Sequence, residues 1–251
     1  MTKWQKFLFD VQNHIKALDL IGCDIPFFRG HSNGSWELLC GLGRSSKAKK
    51  YRYIESTLYH DFLALAGPLL DDANSPWDTL FAMQHHGLPT RLLDWSHTFS
   101  VALYFALKPY LNVKSRPSIP TAELPCIWML NPFALNKASM NDDSIFNPHT
   151  DLEVNYWDVY INEKKKFPTD VVALNPTQTS RRLAVQRSGF TFHNEIDAPL
   201  EQKYSDLVRK FVIPAAAIPE ALSFLTLAGV NEYSLYPDLD GLARYLMIRH
   251  M

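Results

Sequence analysis

Apolar residues fall at helical spacing across residues 4–19, where Trp4, Phe7, Leu8, Val11, Ile15 and Leu18 share a face. Residues 53–66 repeat the pattern with Ile54, Leu58, Phe62 and Leu65, which predicts a second helix. A third starts at Ser75-Pro76-Trp77-Asp78. There Ser can cap, Pro can occupy the first turn and Asp suits the positive end of the helix. It runs to about His86, where Gly87 supplies a left-handed stop and Pro89 prevents continuation. Residues 96–108 are apolar nearly all round and predict a buried helix ended by Pro109. Short apolar runs at 25–30, 90–95, 126–130, 171–174, 190–193 and 207–213 predict strands, and 219–227 and 240–247 two short helices. Residues 112–125 carry three prolines and read as loop, while 136–151 and 162–170 are polar, with Lys164-Lys165-Lys166 a solvated run. Short strands among helices of varied order predict an α+β or mixed α/β chain. The expected form is a single domain over 1–251, a mixed sheet with flanking helices.

Composition narrows the partners. Two hundred and fifty-one residues with 47% hydrophobic and 20% charged content exclude wholesale disorder, collagen-like repeats and long coiled coil. Lys+Arg 25 against Asp+Glu 26 leaves a net charge of −1, so no global field draws the chain to nucleic acid or anionic lipid. A local basic cleft stays open. Three cysteines at wide spacings (Cys23, Cys40, Cys126) argue against a disulfide scaffold and a zinc knuckle. Interspersed charges after Met1 argue against a signal peptide, and the longest apolar stretch, 99–107, is about half a membrane span. The expectation is a cytoplasmic protein without membrane contact.

Candidate chemistry concentrates in residues 84–96. Trp77, Leu80, Phe81 and Gln84 lie at i, i+3, i+4 and i+7, so Gln84 shares the inward face and its amide must meet a partner. Arg91 and Asp94, three apart, project to opposite faces of a regular strand and are poor partners for each other. Asp94 could accept backbone N–H bonds at the next helix start, and Arg91 could meet a carboxylate or phosphate elsewhere. A buried network that merely fixes loop geometry is the competing reading. His85 and His86 point about 100° apart, and no i, i+4 partner or third ligand suggests a metal. Phe28-Arg29-Gly30 puts a bidentate cation beside a residue that lets backbone approach a ligand. Arg182 and Gln186 share a helical face at i, i+4. Trp36 and Trp95 read as core, and Leu235 to Asp240 as a structural lock in which Tyr236 packs and Asp240 caps the last helix.

Taken together, these landmarks resemble the FRG domain, a mostly bacterial family named for Phe-Arg-Gly. They are Phe28-Arg29-Gly30, residues 35–44, Gln84 to Ser96 with the following apolar helix, Arg182, Gln186, Gly189-Phe190, and residues 235–242. The family resemblance leaves function open. A weaker resemblance, to the ADP-ribosyltransferase fold, implies one. Carried over, Arg29 would clamp the pyrophosphate of NAD, Gly30 would allow close approach, and Thr90 or Ser96 would lie beside the nicotinamide ribose. Gln186 and Glu195 are the nearest stand-ins for the carboxylate such chemistry needs, since no Glu-x-Glu or Gln-x-Glu precedes the late strand.

Three readings follow. The first is an NAD-directed ADP-ribosyltransferase or NAD hydrolase, a toxin or anti-phage effector, with NAD as substrate, no metal, and protein, nucleic acid or water as acceptor. The second is a non-catalytic module for a dinucleotide or other phosphate-bearing small ligand, using Arg29, Gln84, Arg91, Asp94, Arg182 and Gln186. The third is a nuclease-type hydrolase with Asp94 and the histidines, His85 among them, in acid–base roles.

Overall fold

A computed structural model describes residues 1–51, 53–69, 75–111, 120–175 and 181–251. Six strands form one sheet: β1 (Phe27–His31), β2 (Leu92–Ser96), β3 (Cys126–Leu130), β4 (Val171–Leu174), β5 (Ser188–His193) and β6 (Val208–Val212). Their order is β4-β5-β2-β1-β3-β6, and every pair is antiparallel, where the sequence suggested a mixed sheet. Helices pack on it, so the chain is α+β. Among the described residues no helix is long and apolar enough to cross a membrane.

Strand alternation sorts the core. On one face, Phe28 of β1, Ile127 and Met129 of β3 and Phe211 of β6 pack under the helices Lys3–Asp19, Phe99–Leu107 and Ile218–Leu227. On the same face, Leu92 of β2, Phe190 and Phe192 of β5 and Val172 of β4 pack against the helix Pro76–His85. Phe27, Leu93, Trp95, Trp128 and Ala173 point the other way, toward Leu135 and Leu200. The two clusters on the first face meet at the β1–β2 boundary, and there the sheet is incomplete. β2 pairs with β5 over five positions and β1 with β3 over five, but β1 and β2 share the single register point Phe28↔Ser96. Beyond it the two strands part.

The periodic elements appear where expected. Ser75 caps Pro76–His85 by accepting from the Asp78 N–H, and Gly87 takes the left-handed conformation at φ +83°. The helix Phe99–Leu107 is largely buried. Two expectations are corrected. A helix, Pro132–Met140, starts before the stretch 136–151 that had only polarity to go by and runs into it. Asn131 caps it, and its buried Asn136 replaces a missing strand neighbour. The Asn136 amide donates to the Ala173 carbonyl (2.9 Å) and accepts from the Ala173 N–H (2.7 Å) at the edge of β4. Asp238, not Asp240, caps the final helix Leu239–His250, its carboxylate accepting from the Gly241 N–H at 2.6 Å. Asp238→Ala removes that acceptor and will cost about 1 kcal/mol of stability, read as a lower midpoint in urea; Asp240→Ala will leave the midpoint in place. Of the proline-rich loop, residues 112–119 lie outside the described residues, and Thr121–Glu123 forms one 3-10 turn.

Candidate functional site

Where β1 and β2 part, a cleft of about 1450 Å³ opens. Arg29, Gly30 and Asp94 line its floor, Gln84 and His85 enter from the end of Pro76–His85, and Gln186 and Arg182 close the far side. Three stretches widely separated in sequence therefore converge on one hollow.

The floor is built by replacing a strand contact with a side chain. Arg29 Nη1 donates to the Asp94 backbone carbonyl at 2.6 Å, across a gap that a strand neighbour would otherwise fill. The same nitrogen lies 3.8 Å from the Asp94 carboxylate. The arginine side chain is 14% exposed and the aspartate 54%, so a nearly buried cation sits under a carboxylate that faces the open cleft. Burial pushes the Arg29 pKa down to about 10; Asp94 opposes that and Arg44 adds to it. The guanidinium stays charged at neutral pH. Its Nε points at His31 Nε2 (3.0 Å), and two bonds leave further N–H donors of a five-donor group for the cleft.

Asp94 is held from the other side. Gln84 Nε2 donates to its Oδ2 at 2.7 Å, while Gln84 Oε1 accepts from the Thr90 hydroxyl at 2.6 Å. Thr90 Oγ1 in turn accepts from the Leu92 N–H at 3.0 Å, which locks the hydroxyl's direction. This relay is the partner that the inward-facing Gln84 required. Thr90 itself is fully buried and acts through Gln84 instead of touching the cleft. Asp94 does not cap the next helix, whose N-cap residue is Thr98 and which has no side-chain cap bond; Ser96 accepts from the Thr98 N–H (3.0 Å) just ahead of it and donates to the Gln186 carbonyl (2.7 Å).

Several residues singled out from sequence have other work. Arg91 points away from the cleft and pairs twice with Glu55, at 2.6 and 2.7 Å, so it meets a carboxylate and no ligand. Glu195 is exposed on the turn after β5, ion-paired to Lys203 at 2.9 Å, and does not line the cleft. It cannot supply the missing charge there. Gln186 lines the cleft, but its Nε2 donates to the Leu235 carbonyl at 3.1 Å, a bond that ties β5's approach to the C-terminal region. Gly30 has a packing reason: a Cβ there would lie 1.8 Å from the Ala102 carbonyl oxygen, so the glycine lets the helix Phe99–Leu107 rest directly on β1. Arg182 donates to the His85 carbonyl at 3.0 Å and lies over the Tyr236 ring at 4.7 Å. Burial, then Arg182 and His86, lower the His85 pKa, so that ring is neutral at pH 7.

Trp36 is the residue read wrongly from sequence. Trp95 is buried at 2%, but Trp36 is 53% exposed and lines the cleft. Its neighbours Leu38 and Leu39 suggest core; the turn before it decides otherwise. Asn33 Oδ1 accepts from the Ser35 N–H (2.8 Å) and hydroxyl (2.7 Å), and the Trp36 N–H reaches the Asn33 carbonyl at 3.3 Å. That Asn-Gly-Ser turn was the available signal. Arg44, Lys49 and Tyr236 also line the cleft. Its lining carries four cations, Arg29, Arg44, Lys49 and Arg182, against the anions Asp94 and Glu37. The local basic cleft that a net charge of −1 left open is present. Among the described residues no group of three or more His, Cys, Asp or Glu side chains could hold a metal ion.

No curated protein and no solved structure matches the chain. Residues 25–114 match the family model of the FRG domain. That segment contributes β1, β2, Trp36, Gln84, Asp94 and the helix Phe99–Leu107, whereas Arg182, Gln186 and Tyr236 come from beyond it. The segment that builds the floor of the cleft is thus the part of this chain that is similar to the FRG domain family.

Proposed function

We propose that the cleft binds NAD and that the chain is an NAD-directed ADP-ribosyltransferase or NAD hydrolase. The observation that carries this reading is the Arg29–Asp94 pair at the gap between β1 and β2. A nearly buried guanidinium suits a pyrophosphate, since it offers paired charge-assisted N–H donors in a site of low dielectric. The surrounding excess of cations over anions favours a dianionic ligand. The volume, about 1450 Å³, exceeds that of ordinary small-ligand pockets, roughly 300–1,000 Å³, and suits a dinucleotide.

Asp94 takes the part for which Gln186 and Glu195 were candidates. When the bond between ribose C1′ and the nicotinamide nitrogen breaks, the electron pair leaves with nicotinamide and positive charge develops on the ribose. A carboxylate fixed nearby stabilises that charge. Gln84, itself oriented by Thr90, holds the Asp94 carboxylate in place, so little reorganisation accompanies the step. Water or another acceptor then forms the new bond at C1′ and gives up its proton to solvent. One feature favours a second reading, a non-catalytic dinucleotide module. The Asp94 charge is already partly offset by the Gln84 amide and Arg29, which weakens it as a partner for an oxocarbenium-like centre.

Calorimetry with NAD, together with chromatography of released nicotinamide, tests both. Arg29→Lys keeps the charge and loses the fork, and will weaken NAD binding about 10- to 100-fold. Asp94→Asn will retain binding and lower nicotinamide release about 100-fold. Binding without release across protein, RNA and water as acceptors establishes the module instead. Wild-type protein that binds no NAD overturns both readings.

A further inference from the structure

We infer that Trp36 is the platform on which the cleft stacks a neutral purine ring, so that the adenine end of a dinucleotide lies at Trp36 and the other riboside at Asp94. This rests on the nucleotide reading above. Its own basis is the indole. Trp36 leaves half its ring in water although its loop is anchored on both sides. On one side stands the Asn33 turn, with Lys210 donating to the Gly34 carbonyl. On the other, the Leu38 N–H donates to Glu201 Oε2 at 3.0 Å and the Leu38 side chain is fully buried. An exposed indole on a held backbone is a preformed surface, and the loop could have turned it inward if packing were its purpose.

Its neighbours set the polarity of the ligand. The Trp36 ring meets the His31 ring edge-on at 6.0 Å, and His31 Nε2 faces Arg29 Nε at 3.0 Å. Aromatic platform, guanidinium and carboxylate thus follow one another along the cleft as Trp36, Arg29 and Asp94. A dinucleotide presents base, pyrophosphate and second riboside in the same order, with its pyrophosphate falling on Arg29 when its first base lies on Trp36. Charge chooses between the two ends of NAD. The nicotinamide ring is cationic and belongs beside the Asp94 carboxylate; adenine is neutral and tolerates the vicinity of Arg29 and Arg44, which both line the cleft.

Trp36 is the one exposed tryptophan among the described residues and Trp157 is half-buried, so the acrylamide-quenched component that disappears in Trp36→Phe reports on Trp36. ADP will shield the quenchable component in wild-type protein, whereas nicotinamide mononucleotide at equal occupancy will leave it accessible. Trp36→Ala will weaken ADP binding about tenfold or more and leave inorganic pyrophosphate binding unchanged, while Trp36→Phe recovers most of the ADP affinity. Equal losses for ADP and pyrophosphate in Trp36→Ala would mean that the residue only supports its loop, and unchanged ADP affinity would remove it from the site. Nicotinamide mononucleotide shielding the indole as well as ADP does reverses the assigned polarity. If wild-type protein binds neither ADP nor pyrophosphate, the nucleotide reading itself falls.

Discussion

Acidified from pH 6 to pH 4, the protein will lose about 5 kcal/mol of stability through two histidines alone. His31 and His193 are both buried, and both have pKa values pushed down to about 3. Burial is the largest cause at each; Arg29 adds to it at both, and Arg91 at His193. In the unfolded chain each titrates near 6.5. Above that pH both rings are neutral in either state and the fold keeps its full stability. Below it, the unfolded chain takes up protons that the folded chain refuses. Stability therefore falls by about 1.4 kcal/mol per pH unit for each ring until the folded values are reached. With total stabilities of about 5–15 kcal/mol typical of globular proteins, the loss by pH 4 is at least about a third of the fold's margin. Urea midpoints measured at half-unit steps read the slope, and His193→Gln, which keeps a hydrogen-bonding partner for the Thr191 hydroxyl that lies 2.9 Å from His193 Nε2, will halve it. A midpoint that is flat from pH 6 to pH 4 would contradict the burial argument. The same neutrality bears on the site. The His31 nitrogens face two donors, the Trp128 indole N–H at 3.2 Å and Arg29 Nε at 3.0 Å. A neutral ring keeps one lone pair, so its tautomer sets which donor it accepts. Charging it would leave both donors opposed and put a second cation beside Arg29.

Glu55→Ala will cost about 3–5 kcal/mol and leave the proposed binding of NAD in the cleft unchanged. Glu55 and Arg91 are 13% and 12% exposed, and the Arg91 guanidinium also lies over the Tyr160 ring at 4.0 Å and donates to the Asn194 carbonyl at 2.6 Å. Burial lowers the Arg91 pKa, and Glu55 more than restores it, leaving it above the usual value. Tyr156 adds a hydroxyl donated to Glu55 Oε1 at 2.5 Å. Removing the carboxylate strands a buried cation and the Tyr156 hydroxyl, which is why the single substitution costs more than the pair is worth. The double variant Glu55→Ala/Arg91→Met will recover a large part of the loss. Guanidine or urea melts give the numbers, and calorimetry with NAD gives the control. A loss below about 1 kcal/mol for Glu55→Ala would mean water reaches Arg91; a loss of NAD affinity would return Arg91 to the binding site.

Local pattern was sufficient wherever one stretch of chain decides its own state. The Ser75 cap, the Gly87 stop, the all-apolar helix over 99–107 and the strand at 126–130 are short-range events, set by spacing and by turn chemistry within a few residues. The need of Gln84 for a polar partner was legible too, because an inward amide on an apolar helix face demands one. Its partners were not, since Asp94 reads from sequence as a helix cap or ligand group and not as the acceptor for this amide. The helix Pro132–Met140 escaped notice because it buries one leucine and an asparagine, and the asparagine's reason for being inside is a strand edge 37 residues away.

From its sequence alone this protein reads as an α+β chain with a segment similar to the FRG domain, and with Arg29, Gln84 and Asp94 among its chemical residues. Periodicity, caps and a long motif are properties of neighbouring positions and survive without a fold. Tertiary structure decided that β1 and β2 touch at one point and part beyond it, that Arg29 bridges the gap to a carbonyl 65 residues on, that Arg91 and Glu195 belong elsewhere, and that Trp36 faces the cleft. Each of these depends on which distant segments compete for the same space and the same hydrogen-bonding groups, and that competition exists only once the chain has closed on itself.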